Sequence, residues 1–129
     1  MPEYTIRRTL SQSFDAVLAK IPEALKAEGF GVLTEIDVKE TLKKKLGVDF
    51  RRYRILGACN PPFAHRALQT ELDIGVMLPC NIIIYEADGG KTVVAAIDPE
   101  RTMAAVGDSE LELLAKEVQQ KLKKVVDSL

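Results

Sequence analysis

Two Cys-Asn dipeptides carry the side chains of this sequence that are best suited to chemistry. Cys59-Asn60 and Cys80-Asn81 contain every cysteine and every asparagine of the 129 residues. A thiolate is a nucleophile or a soft metal ligand, and an amide offers donors on one side and an acceptor on the other. Proline stands beside both pairs, as Pro61-Pro62 and Pro79, and it fixes φ and removes a backbone donor. These segments are predicted to be shaped loops that form one site of Cys59, Asn60, Cys80 and Asn81, which binds a small ligand or a protein partner.

Two predicted strands position these loops. One strand runs over Tyr53–Ala58 directly into Cys59, and another runs over Asn81–Glu86 directly after Cys80. If the two strands are neighbours, both cysteines lie at the same sheet edge. Asn60 followed by Pro61 is typical of an N-cap and the first residue of a helix. In this hypothesis the two asparagines orient the polar groups of a ligand, above an apolar floor of Ile83, Tyr85 and Val94.

The alternation of apolar residues along the chain predicts the order β-α-β-α-β-α-β-β-α. Residues 1–129 are therefore predicted to be a single α+β domain. Its single sheet is mixed and mainly antiparallel, with helices mostly on one face. Ser109 and Glu112 form a capping-box pattern at the start of the last helix. A shorter helix after Asp37 is expected to turn Val38, Leu42 and Leu46 inward.

Other interpretations of the cysteines stay open. In one alternative, each cysteine is a small buried hydrophobic residue, Asn60 caps a helix, and Asn81 forms hydrogen bonds with the backbone of a loop. A thiol-dependent enzyme or redox module using Cys59 with Cys80 is the main functional alternative. Zinc held by Cys59, His65, Cys80 and Asp73 is a weaker one, because Cys-x5-His is not a familiar zinc spacing. The sequence therefore favours a non-enzymatic domain, and it predicts no catalytic residue, no metal and no cofactor.

Composition limits the partners that the chain is expected to have. The sequence contains no apolar run long enough to span a membrane and no signal pattern at its start, so we expect a cytoplasmic protein whose two cysteines are thiols. The segment Lys39–Arg54 holds seven basic and two acidic residues, a net charge of +5, whereas the whole chain has a net charge of −1. Nucleic acid is not an expected partner, because only 5% of the residues are aromatic and none is tryptophan. The high charge with scarce Asn and Cys suits a thermophile.

The motifs together resemble the domain of unknown function 302 family. They are Gly57-x-Cys59-Asn60-Pro61, Leu78-Pro79-Cys80-Asn81, a strand ending in Asp88-Gly89, and Asp98-Pro99. The resemblance covers nearly the whole chain, and it implies a compact α+β domain that self-associates, as a homodimer, and has no established activity. A basic residue is usual after the second cysteine in this pattern, and Asn81 in its place weakens any anion-binding role there. An assembly subunit with a purely structural role is a further alternative.

Overall fold

The computed structural model describes residues 4–129, so residues 1–3, which entered the prediction of a cytoplasmic location, lie outside it. The five strands are β1 Thr5–Leu10, β2 Gly31–Asp37, β3 Tyr53–Cys59, β4 Cys80–Glu86 and β5 Thr92–Ile97. The five α-helices are α1 Phe14–Ala27, α2 Val38–Leu46, α3 Pro61–Thr70, α4 Pro99–Met103 and α5 Ser109–Asp127. Two 3₁₀ segments cover Leu72–Met77 and Asp88–Gly90.

The strands form one sheet in the order β1-β5-β4-β3-β2. Every pairing between these described strands is antiparallel. The prediction of a single-sheet α+β domain is confirmed, but the sheet is not mixed, because it lacks a parallel pair. The reason is that β3, β4 and β5 each lie beside the strand that precedes them in the chain, so the connections β2–β3, β3–β4 and β4–β5 each reverse the chain direction. Strand β1 joins the far edge and is antiparallel to β5.

The core lies between the sheet and the two long helices α1 and α5, which pack on the same face. Alternate strand residues point to this face and are buried against the apolar stripes of the helices. Ile21 and Leu25 of α1 and Leu122 of α5 are fully buried there. Burial of each such side chain contributes roughly 1.5–3 kcal/mol. The long helices therefore hold the sheet that carries the two cysteines.

Two local predictions about helices are wrong. Helix α5 is capped by Asp108, whose carboxylate accepts hydrogen bonds from the Glu110 and Leu111 backbone at 2.9 and 3.0 Å; Ser109 is already its first helical residue. Helix α2 buries no residue, and Leu46 is 70% exposed. Helix α2 follows the edge strand β2, and its Val38 and Leu42 are only half-buried.

The opposite face of the sheet carries no helix from α1 or α5, and it is apolar and aromatic. By strand alternation it includes the row Ile36, Ile55 and Ile83. The rings of Tyr53 and Tyr85 stack beside this row with centroids 5.4 Å apart. We call this surface the open face.

Candidate functional site

Strands β3 and β4 bring the two cysteines to one edge of the sheet. They pair so that Ala58 lies opposite Cys80, and Cys59 is the next residue and the end of β3. Both cysteines are free and partly buried. The condition on which the shared edge depended, that these two strands are neighbours, therefore holds.

Asn81 does not join the cysteines, because successive side chains of a strand point to opposite faces. Cys80 packs with the helix-side core together with Ile82 and Ile84. Asn81 lies between Cys80 and Ile82, and it is exposed on the open face. The structure thus separates the second Cys-Asn dipeptide across the sheet.

The expected apolar floor is divided in the same way. Ile83 and Tyr85 alternate with the core residues of β4 and lie on the open face, while Val94 of β5 is fully buried in the core. These three residues do not line one pocket with the cysteines, and the floor of the site is made by other side chains.

Asn60 occupies the N-cap position of α3 but does not cap it with its side chain. The next two residues are Pro61 and Pro62, which have no N–H group, so little is left at this helix end for a cap to satisfy. Instead, Asn60 Nδ2 donates to the Glu28 carbonyl oxygen at 3.3 Å, at the end of α1. The amide therefore links the ends of two helices.

A cavity of about 300 Å³ opens at this edge. It lies between the ends of β3 and β4 and the helices α3, α4 and α5. Cys59, Asn60 and Cys80 line it, and Asn81 does not. The other lining residues are apolar: Phe30, Leu33, Ala58, Phe63, Ala64, Ala67, Leu68, Leu78, Pro79, Pro99, Met103, Leu111, Leu114, Ala115 and Val118. Among residues 4–129, no charged side chain lines it, so it is suited to an uncharged, apolar occupant.

The whole arrangement is that of a known family. The family model described as "Domain of unknown function DUF302" matches residues 6–129. The chain belongs to the DUF302 family. Its structure is similar to the crystal structure of an uncharacterized conserved protein DUF302 from Bacillus stearothermophilus, with 31% sequence identity, a TM-score of 0.90 and coverage of 98% of each chain. None of the curated proteins matches significantly. Within residues 4–129, no helix combines the length and apolar character that crossing a bilayer requires.

The electrostatics of the DUF302 cavity hold Cys80 in its thiol form. Burial raises the pKa of Cys80 to about 11, and the negative charge of a Cys59 thiolate adds to this effect. A reactive cysteine requires the opposite, a thiolate favoured by nearby positive charge. The geometry thus gives no support to a nucleophilic or redox role for Cys80.

The hypothetical zinc ligands are not brought together. His65 is exposed on α3, and Asp73 is exposed on the 3₁₀ segment Leu72–Met77. In the part of the chain that the structure describes, no three His, Cys, Asp or Glu side chains are grouped so that they could hold a metal ion.

The basic segment of this DUF302 chain is largely neutralised by local ion pairs. Arg52 pairs with Asp15, which lowers the pKa of that carboxyl group, and the Arg52 guanidinium lies 4.3 Å above the Phe14 ring. Arg54 pairs with Glu35 and Asp37. Asp15, Glu35 and Asp37 thus offset part of the net charge of +5 that the segment carries in sequence.

Sequence reasoning missed the far wall of the cavity. Met103 of α4 and Leu111, Leu114 and Ala115 of α5 form a second buried cluster with Ala67 of α3. Leu111 and Leu114 fit the apolar stripe of α5, which predicts burial equally well whether the stripe packs against a core or borders a cavity. No signal in the sequence separates the two cases.

Proposed function

We propose that this DUF302 protein binds a small, uncharged, mainly apolar molecule in the cavity at the Cys59 and Cys80 edge. The observation that carries the proposal is the cavity of about 300 Å³ without a charged lining residue. Ligand sites in proteins begin at about this volume and combine apolar walls with a few polar groups. An apolar cavity of about 150 Å³ binds benzene, so this one has room for a molecule of about two fused rings.

The walls of the cavity support binding because they belong to several packed elements. The sheet side is part of the main core cluster through Ala58 and Cys80, whereas the helix side belongs to the second cluster through Met103 and Leu111. Each side is held by its own buried contacts, so neither side can collapse onto the other without loss of packing. The site is therefore preformed.

A cavity-filling variant tests the proposal. Ala115 lines the cavity and is 4% exposed, so Ala115→Leu and the larger Ala115→Phe should occupy the binding volume. Ala19→Phe on the exposed side of α1 is the matched control. Binding of neutral bicyclic compounds is measured by isothermal titration calorimetry and by thermal shift. We expect binding by the wild type and Ala19→Phe, and at least tenfold weaker binding by the folded Ala115 variants, about 1.4 kcal/mol.

Two results would overturn the proposal. One is the absence of any thermal shift or bound species in the wild type across a broad panel of neutral apolar compounds. The other is equal binding by the wild type and by a folded Ala115→Leu or Ala115→Phe variant, which would place the bound compound elsewhere.

We also propose that the chain self-associates as a homodimer through its open face. Ile36 is 48% exposed and Phe50 is 40% exposed beside the stacked tyrosines, and a second copy would remove this apolar surface from water. Sedimentation velocity tests this proposal by comparing the share of dimer in variants and wild type. Ile55→Lys, in the middle of the row, should be monomeric, and the control Leu113→Lys, on the exposed side of α5, should dimerise like the wild type. A wild type that is monomeric at high concentration would remove both this proposal and a structural assembly role.

We also propose that the protein is located in the cytoplasm. It is supported by two cysteines that are both free, since thiols persist in reducing compartments. Cell fractionation of the source organism tests it, and recovery of the protein outside the cytoplasmic fraction would contradict it.

A further inference from the structure

Asn60 is the one lining residue of the cavity with a strongly polar side chain. It is only 9% exposed, and the remaining side chains of the lining are apolar apart from the two thiols. Thiols are weak hydrogen-bonding groups, so specificity for a polar group in this cavity depends on the Asn60 amide.

One hydrogen bond orients that amide, because Nδ2 donates to the Glu28 carbonyl oxygen at 3.3 Å. The next residue, Gly29, leaves space for Nδ2: a Cβ atom there would lie 3.1 Å from it, and the φ of +84° at Gly29 favours glycine. Because the amide group is planar, Oδ1 projects on the side away from Glu28 and Gly29.

Asn60 Oδ1 accepts no hydrogen bond from the described residues, since the Nδ2 bond to Glu28 is the one that this side chain makes. Yet no fully buried side-chain nitrogen or oxygen within residues 4–129 lacks a partner. Oδ1 must therefore retain accessible surface. Asn60 is nine-tenths buried and lines the cavity, so the cavity is the open space that this residue borders.

We propose that Asn60 Oδ1 selects ligands that carry a hydrogen-bond donor, so the ligand class is a neutral apolar bicycle with one N–H or O–H group. This inference rests on the proposed binding function and adds a polarity requirement to it. A ligand with only an acceptor at that position leaves Oδ1 without a partner and places two lone-pair groups against each other. A ligand with a donor gives Oδ1 the hydrogen-bond partner that it lacks among residues 4–129.

Indole and benzofuran test the inference, because they share one shape and differ by an N–H donor against an oxygen acceptor. The chain contains no tryptophan, so indole fluorescence reports binding without a tryptophan background, and calorimetry gives both affinities. We expect indole to bind wild type about two- to tenfold more tightly than benzofuran, the range of one net hydrogen bond. Asn60→Ala should abolish this ratio. Asn81→Ala, which changes the other asparagine outside the cavity, should keep it.

The outcomes separate this inference from the proposed function. If both compounds bind wild type equally, the inference fails while the binding function stands. If the wild type prefers indole but Asn60→Ala keeps the preference, another group accepts the hydrogen bond from indole and the inference also fails. If neither compound nor any related bicycle binds, the proposed function itself fails. Even if Asn60→Ala does not fold, equal binding of the two compounds by the wild type overturns the inference.

Discussion

Gly57 is the position in the sheet where a single methyl group should have the largest effect on the site. It lies in β3 between Thr34 of β2 and Asn81 of β4. A Cβ atom at this position would overlap Thr34 Oγ1, and it would lie 2.7 Å from Pro79 Cγ. Real Cβ atoms do not approach heavy atoms this closely, so Gly57→Ala must displace both neighbours.

The cost follows from what each neighbour can do. Thr34 can turn its side chain away, at about 0.5–1.5 kcal/mol if the new χ1 is unfavourable. The Pro79 ring is rigid, so the backbone before β4 must shift, and such overpacking typically costs about 1–3 kcal/mol. Alanine also lowers the conformational entropy of the unfolded chain, which offsets about 0.4–1 kcal/mol of this destabilisation. We expect a net loss of about 1–3 kcal/mol in the free energy of unfolding.

Urea unfolding followed by far-UV circular dichroism measures this loss. Gly31→Ala is the matched control, because it lies in the adjacent strand β2 and a Cβ there meets no atom within 4 Å; its stability should not fall. Thr34→Ala combined with Gly57→Ala should recover part of the loss, because Oγ1 is then absent while Pro79 remains. A Gly57→Ala protein as stable as Gly31→Ala would refute the reasoning, and so would a double variant without any recovery.

Three further predictions concern groups around the site and the core. Folding raises the pKa of Cys80 from 9.0 to about 11, so the folded state favours the thiol. The contribution of Cys80 to the free energy of unfolding should therefore be constant below pH ~9 and fall by about 2–3 kcal/mol as the pH rises to ~11. Cys80→Ala should lack this part of the loss in urea titrations at each pH, and an unchanged profile would contradict the assignment. Asp108→Ala should lower stability by about 1 kcal/mol in thermal unfolding, whereas Ser109→Ala should change it by less than ~0.5 kcal/mol. A larger loss for Ser109→Ala than for Asp108→Ala would show that Ser109 is the cap. Arg8 Nη1 donates to the carbonyl oxygens of Asp127 and Leu129 at 2.8 and 2.7 Å, so Arg8→Met should cost about 1.5–3 kcal/mol in urea unfolding. Arg8→Lys keeps a positively charged donor and should cost less, and equal losses for the two variants would show that a charged donor alone does not stabilise this contact.

Periodicity in the sequence is sufficient to predict most of the fold. The apolar run Ile82–Tyr85 and the stripe of α5 from Leu111 to Val125 correspond to a central strand and a long packed helix. The prediction that Cys59 and Cys80 share an edge follows from the strand boundaries alone, because antiparallel neighbours place the end of one strand beside the start of the next. These features depend on local pattern.

The position of Asn81 shows where such reasoning fails. A strand that starts at Asn81 leaves both Cys80 and Asn81 free to face a loop pocket, whereas the observed strand starts at Cys80. With Cys80 inside the strand, alternation sends Asn81 to the other face. A boundary shift of one residue therefore decides the composition of the site, and strand boundaries are the least predictable feature of a sequence.

The cavity itself bears on whether the domain has a ligand. In a buried core, cavity volume destabilises by about 24 cal/mol per Å³, so a sealed and empty space of about 300 Å³ would cost roughly 7 kcal/mol, comparable to the whole stability of a domain. The cavity opens to solvent, so water lowers this cost but leaves the apolar walls wetted. Larger side chains at Ala64, Ala67 or Ala115 would remove the space without a change of fold. A domain that instead has small residues at these three positions, around an open amide acceptor, has the structure expected of a binding site. We expect Ala115→Leu to raise the free energy of unfolding and to abolish ligand binding, which would show that stability is lost here in favour of binding.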